Sequence, residues 1–293
     1  MAHSHLLLGI GNAPARIGVR RIGVADLKEA LSKGFDDFMA MPSHAMFLCV
    51  VYPLLGLLLA RLAFGYSVLP LLFPIASGFA LVGPVAALGL YEMSRRREAG
   101  QPVSIGDAFD VLKSSSIGAI AVLSLLLLAV FCLWLAVANA IYIAYFGYAQ
   151  PTSIEAFLRD VLTTQAGWSM MLVGNAVGFC FAVVVLTIGV VSFPLLLDRD
   201  VGAAVALSTS IRAVAANPVI MALWGVIVAA LLVMGTLPAL LGLTVVLPVL
   251  GHATWHLYRK VVDAGDSPMP EHRPPPKERR YAADFPVNLL RWR

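Results

Sequence analysis

His252 and His256 stand one helical turn apart in the stretch His-Ala-Thr-Trp-His. That spacing puts two imidazoles on one face of a helix, as when two histidines bind one metal ion. The glutamate that makes such a pair a metalloprotease site is absent, since Ala253 follows His252 directly. A haem would need one imidazole as axial ligand beside a roomy pocket. The competing reading is an interfacial belt, in which His252 and His256 lie at headgroup depth with Trp255 and Tyr258. The reading adopted is a belt without a cofactor, and a metal or haem at His252 and His256 is the alternative. His44 and Glu92 are expected on the same side of the membrane.

Other polar residues invite similar weighing. Asp198-Arg199-Asp200 offers two carboxylates around a guanidinium, a set that binds a cation, pairs with the basic run Arg95-Arg96-Arg97, or caps the next helix. Asn139 and Asn175 interrupt long apolar stretches. An amide in lipid needs a partner, so both are expected to face the inside of a bundle, bonded to each other or lining a path. No phosphate loop, nucleophile elbow, zinc cluster or dinucleotide fingerprint occurs, and an enzyme is not expected. Nucleic acid is not expected either. The isoelectric point is about 9.1, but the basic clusters lie where membrane topology would put them.

The elements that must hold these residues are membrane spans. Of 293 residues, 59% are hydrophobic and 13% charged, against about a quarter charged in a soluble domain, and the mean hydropathy is +0.84. Asp, Glu, Lys and Arg are missing from Ser114 to Ile154, Val161 to Leu197 and Ala213 to Tyr258. Each run exceeds the roughly 20 apolar residues that cross a bilayer. The fold class is therefore all-α, a polytopic bundle of about six transmembrane helices. The spans are expected near Ala45–Phe64, Val68–Tyr91, Ile117–Tyr142, Trp168–Ser192, Val219–Gly235 and Leu237–Leu257, with a tight turn at Gly235–Pro238 joining the last two. The start "HLLLGIGNAPA" lacks the basic region of a cleaved signal peptide. Cys49, Cys132 and Cys180 read as small apolar packing residues.

With six spans and both termini on one side, 19 of the 21 basic residues share that side, leaving only Arg61 and Arg159. The positive-inside rule makes it the cytoplasm. The expected location is a bacterial inner membrane, with membrane lipids as the first partners. Thr152-x-x-Glu155 reads as a capping box before an apolar stripe of Ile154, Phe157, Leu158, Val161 and Leu162. That helix either lies flat on the outer surface or packs over the bundle; the stripe fits both.

The chain also repeats itself. "ALSKGFDDFMAMP" ending at Pro42 parallels "ALSTSIRAVAANP" ending at Pro218. "VGPVAALGLYEMSRR" from Val82 parallels "VLPVLGHATWHLYRK" from Val246. Each copy reads as a cytoplasmic amphipathic helix, a proline that opens a span, a hairpin and a basic pair. In the leading helices the shared faces are Leu27, Leu31, Phe35 and Phe38, and more weakly Val201, Val205, Ser208 and Ile211. A degenerate middle copy starts at Ser104, a helix cap, and ends near Pro194. The domains are then a flexible segment 1–18, a membrane domain 19–262 with hairpins at about 24–97, 104–198 and 200–260, and a Pro-rich cytoplasmic tail 263–293.

"VRRIGVADLKEALSKGFDDFMAMP", "FALVGPVAALGLYEMSRR", "PLLLDRDVGAAVALSTSIRAVAANP" and "VLPVLGHATWHLYRK" resemble the domain of unknown function 2189 family of predicted bacterial integral membrane proteins. The resemblance runs from about Val19 to Val262. It implies an inner-membrane protein and brings no catalytic motif. Some members are catalogued as putative cytochrome c oxidase subunits, which implies a role beside a respiratory complex. The expected function is a non-catalytic interaction protein, accessory to a respiratory oxidase complex or assisting its assembly. The alternative is a transporter or channel for a small or amphipathic solute, with Asn139 and Asn175 in its lining.

Overall fold

The computed structural model describes residues 17–42, 69–79, 83–148, 151–238 and 240–263. The expected first span with His44 and Cys49, and nearly all of both terminal segments, lie outside these. A short strand β1 (Gly18–Val19) leads into α1 (Val24–Ala40). The expected second span is not one helix. It is a 3-10 turn (Leu69–Leu71), α2 (Leu72–Phe79), α3 (Gly83–Ala86) and α4 (Leu88–Glu98), and Pro84, which lacks an amide to donate, sits beside the break. A 3-10 helix at Ile105–Lys113 precedes α5 (Ile117–Phe146), α6 (Ile154–Thr163), α7 (Gln165–Gly189) and α8 (Ser192–Asp198). The chain then forms α9 (Ala203–Ala216), α10 (Pro218–Thr236), α11 (Leu243–Val261) and β2 (Val262–Asp263).

Among the described residues, three helical runs are long and apolar enough to cross a membrane: α5, the α7–α8 run Gln165–Asp198, and α10. The all-α membrane bundle stands. The expected sixth span starts late, at Leu243, well beyond the Thr236 end of α10 and not after a tight turn. Leu240 takes a positive φ of 69° between them, and Gly242 lies so close to Gly235 that a Cβ would sit 2.8 Å from the Gly235 carbonyl oxygen. Cys132 and Cys180 are exposed on the outer faces of α5 and α7, not packed inside as their apolar setting suggested.

The leading elements close a circle. The 3-10 helix Ile105–Lys113 packs on α4, and α9 packs on α7 and α8. Each thus rests on the arm just before it. The first leading helix, α1, has no described arm before it and packs instead on α11, the last. The ends α4, α8 and α11 contact one another at the centre. Strand β1 pairs antiparallel with β2, Gly18 opposite Asp263, so the edges read near 19 and 262 meet.

The two corners quoted above have the same geometry. Met41 ends α1 with φ −137° and ψ 45°, and Asn217 ends α9 with φ −133° and ψ 48°. Each precedes a proline, which pushes the preceding residue out of the helical region. The buried faces also run in register: Leu27, Ala30, Gly34, Asp37 and Met41 against Ala203, Ala206, Ser210, Ala213 and Asn217. The expected faces are only partly these: Leu27, Phe38, Val201 and Val205 are buried. Phe35 is 50% exposed and Ile211 46%, and Ser208 is exposed too. The buried face is shifted, not replaced, because close helix contact also takes in the small residues Ala30, Gly34, Ala206 and Ala213.

Asn217 also ties down the chain start. Its Oδ1 accepts from the Ile22 amide at 2.8 Å, and its Nδ2 donates to the Arg20 carbonyl at 3.0 Å and the Ala213 carbonyl at 3.1 Å. Unmaking a buried hydrogen bond costs about 1–3 kcal/mol. Asn217→Ala is expected to lose about 2 kcal/mol on that scale and to free the segment ahead of α1. Limited proteolysis should then cut near Arg20 and Arg21 far faster than in the parent; equal rates would count against the tie.

Candidate functional site

The chemically capable side chains gather at one end of the bundle, where α1, α4 and α11 meet. Asp37 comes from α1, Ser94 and Arg97 from α4, and His252 and His256 from α11. Gly34 makes this convergence possible. A Cβ there would lie 2.5 Å from the Ala253 amide nitrogen, so α1 and α11 touch backbone to backbone beside the two histidines.

Asp37, 4% exposed, is the hub. Ser94 Oγ donates to its Oδ2 at 2.6 Å, His256 Nε2 meets the same oxygen at 2.9 Å, and the Arg97 guanidinium holds Oδ1. Ser94 Oγ also lies 2.7 Å from His252 Nδ1. A hydroxyl has one proton. Since the proton of Ser94 goes to the carboxylate, its oxygen accepts from His252 Nδ1–H. That order makes Nδ1 the protonated ring nitrogen of His252, whose ring also lies beside the Leu90 backbone. Burial, the largest influence on the Asp37 carboxyl, pushes its pKa up. The hydrogen bonds from His256 and Ser94 and the fields of His256 and His252 outweigh it and hold the carboxyl below the ordinary range.

Two further clusters continue this layer. Glu92 accepts from Arg95 at 2.7 Å and from Arg96 at 2.8 Å. Arg96 reaches on to Asp107 at 2.7 Å and Asp110 at 2.6 Å, tying α4 to the Ile105–Lys113 helix. The Lys113 bond, then the field of Lys113 and Arg96, holds the Asp110 carboxyl low against a burial that would raise it. Ser104 caps that helix as expected, its amide donating to Asp107 at 2.7 Å. On the other flank, Asp198 accepts from the Tyr258 hydroxyl at 2.7 Å, with Arg259 at 3.4 Å and Arg199 at 3.3 Å. Trp255 Nε1 donates to Glu98 at 2.9 Å. At the solvent edge, Lys260 and Lys33 pull Glu29 down to about 2.

The sequence-derived residues distribute as follows. His252 and His256 share a helix face as expected, but they engage Ser94 and Asp37 instead of converging on a ligand. No group of three metal-ligating side chains occurs among the described residues. Asp198 and Asp200 do not pair with the Arg95–Arg97 run. Asp198 joins Tyr258 and Arg259 of α11, and Asp200 accepts from Ser115 at 3.0 Å; the arginine run is taken by Glu92, Asp107, Asp110 and Asp37. Asn139 and Asn175 stand apart on exposed surfaces of α5 and α7, and Asn175 donates to the Met171 carbonyl of its own helix at 2.8 Å. The missed residues are Asp37 and Ser94. The available signal was Asp37 itself, a charge set at the spacing of Leu27, Ala30 and Gly34.

Ser94 and His252 are both 0% exposed, so no reactant atom touches the hydroxyl in this arrangement. A nucleophilic serine also passes its proton to the imidazole, whereas here the proton points to the carboxylate. The cluster fastens three helices together.

Compared with curated proteins and with solved structures, the chain matches none. Residues 72–198, from the start of α2 to the buried Asp198, match the family model described as predicted integral membrane protein (DUF2189). The match lies within the longer stretch read as resembling that family, and with the apolar helices it supports an integral membrane protein that is similar to this family over residues 72–198.

Proposed function

We propose that the chain is a non-catalytic interaction protein of the bacterial inner membrane, without a bound cofactor, whose partners are other membrane proteins. Its three hairpins descend from one repeated unit, and its charged layer lies at the cytoplasmic face with both termini. The observation that carries this reading is where the polar chemistry sits. Asp37, Ser94 and His252 are spent on one another inside the bundle, leaving apolar helix surface for contact. Only 22% of the most apolar stretch of α5 is buried, and 17% of that of α10. Helices associate in lipid by packing of such faces, so a rigid platform presenting two bare spans suits a lateral partner. The partner class we favour is a respiratory complex, since some members of the resembled family are catalogued as putative oxidase subunits.

Photo-crosslinking in native membranes tests this. A photoreactive side chain at Leu125 of α5 or Val226 of α10, 65% and 61% exposed, should yield discrete protein adducts. If an adduct copurifies with haem absorbance, the respiratory version holds. Adducts to lipid alone at both positions would overturn the interaction reading.

A further inference from the structure

The apolar stripe of α6 divides into two halves. Val161 is buried, and Phe157 turns inward against Tyr142 of α5, ring centroids 6.4 Å apart. Ile154, Leu158 and Leu162 are 38%, 49% and 54% exposed. At 100° per residue these three occupy one flank of the helix. Phe157 and Val161 lie on one side of that flank, and Glu155, Arg159 and Thr163 on the other. The helix therefore has a protein-facing flank, an uncovered apolar flank and a polar flank, in that order round its axis.

Its position explains the bare flank. Helix α5 starts beside the charged layer, where Ser115 meets Asp200, and α7–α8 returns to it at Asp198, so α6 caps the far end of this hairpin. Helix α7 has 25 residues, about 37 Å at 1.5 Å per residue. That exceeds a hydrocarbon core of about 30 Å, which sets the first turn of α7 at headgroup depth. Trp168 stands in that turn, 61% exposed, with its indole N–H donating to the Leu162 carbonyl at 2.9 Å. The join between α6 and α7 is rigid. Ser153 Oγ, not the expected Thr152, caps α6 by accepting from the Ala156 amide at 3.0 Å. A Cβ on Gly167 would lie 2.2 Å from the Val161 carbonyl oxygen, so the corner admits glycine alone. Trp168, bonded to Leu162 at the end of that flank, shares one exposed face of α7 with Leu172 and Phe179, an apolar surface of the kind that lipid covers.

We infer that α6 is a monotopic membrane anchor, lying in the plane of the bilayer surface with Ile154, Leu158 and Leu162 among the upper acyl chains and Trp168 in the headgroups. The occupant of the flank is lipid, because it adjoins an exposed apolar helix surface, is edged by an interfacial tryptophan, and has a charged flank turned to water. Amphipathic helices of this build sink about 5–10 Å into the boundary.

The test uses the full chain with Cys49, Cys132 and Cys180 replaced by alanine, reconstituted at low protein-to-lipid ratio. A fluorescent probe is attached at L158C, L162C or R159C, all exposed positions where a label disturbs no packing. Probes at 158 and 162 should lose their emission to nitroxide carried high on the lipid chains and keep it against aqueous iodide, with the order reversed at 159. Iodide quenching at all three sites would overturn the inference, placing the helix clear of the bilayer. So would protection of 158 and 162 from both quenchers, as contact with a second copy would give.

Discussion

Asp37→Ala is expected to be the most damaging single substitution in the charged layer. The side chain accepts from Ser94 and His256 and holds Arg97, so its loss strands three partners at once, two of them in the interior. Removing one member of a buried charged set costs about 3–5 kcal/mol. Because Arg97 is 39% exposed and water can solvate it, the lower end, about 3 kcal/mol, is expected. Thermal unfolding in mild detergent measures this; a parent-like midpoint would show that the network does not hold the bundle together. Acid should have a related effect. The folded Asp37 carboxyl has a pKa below its ordinary value, so its contribution is complete above about pH 4, the unfolded range. It is lost as pH falls through the lower folded value. D37N should flatten that part of the stability profile while keeping the shape of the side chain.

Gly34→Ala should rival it through packing alone. The added methyl would lie 2.5 Å from the Ala253 amide nitrogen and 2.7 Å from its Cα. Backbone atoms of a helix cannot swing aside as a side-chain tip does, so α1 must move off α11. Overpacking costs typically 1–3 kcal/mol, and the upper end, about 3 kcal/mol, is expected because the shift also stretches the contacts of Asp37 with His256 and Ser94. Gly23→Ala supplies the control, since nothing lies within 4 Å of a Cβ there and φ is −121°. Equal loss of stability in both variants would point away from the crossing. Loss in G34A alone identifies the crossing.

Both predictions concern contacts between residues 57 to 219 positions apart in the chain, and this separates what could be read in advance from what could not. Composition and uncharged runs determine a helical membrane protein, because bilayer thickness converts directly into a length of apolar chain. Local signals worked where the physics is local: Ser104 before a 3-10 helix, Pro218 opening α10, and the α6 stripe. The repeated corner at Pro42 and Pro218 was legible because proline constrains its predecessor whatever surrounds it. Periodicity placed Leu27, Phe38, Val201 and Val205 on buried faces but misjudged Phe35 and Ile211, because it ranks residues by apolarity, whereas crossing helices also favour small ones such as Gly34 and Ala206. The histidine pair was visible from its spacing, but its role was not. Only the meeting of α1 and α4 with α11 brought Asp37 and Ser94 to it and turned four polar residues from three helices into one fastening. A hydrogen bond needs its partner within about 3 Å, and distance along the chain says nothing about that.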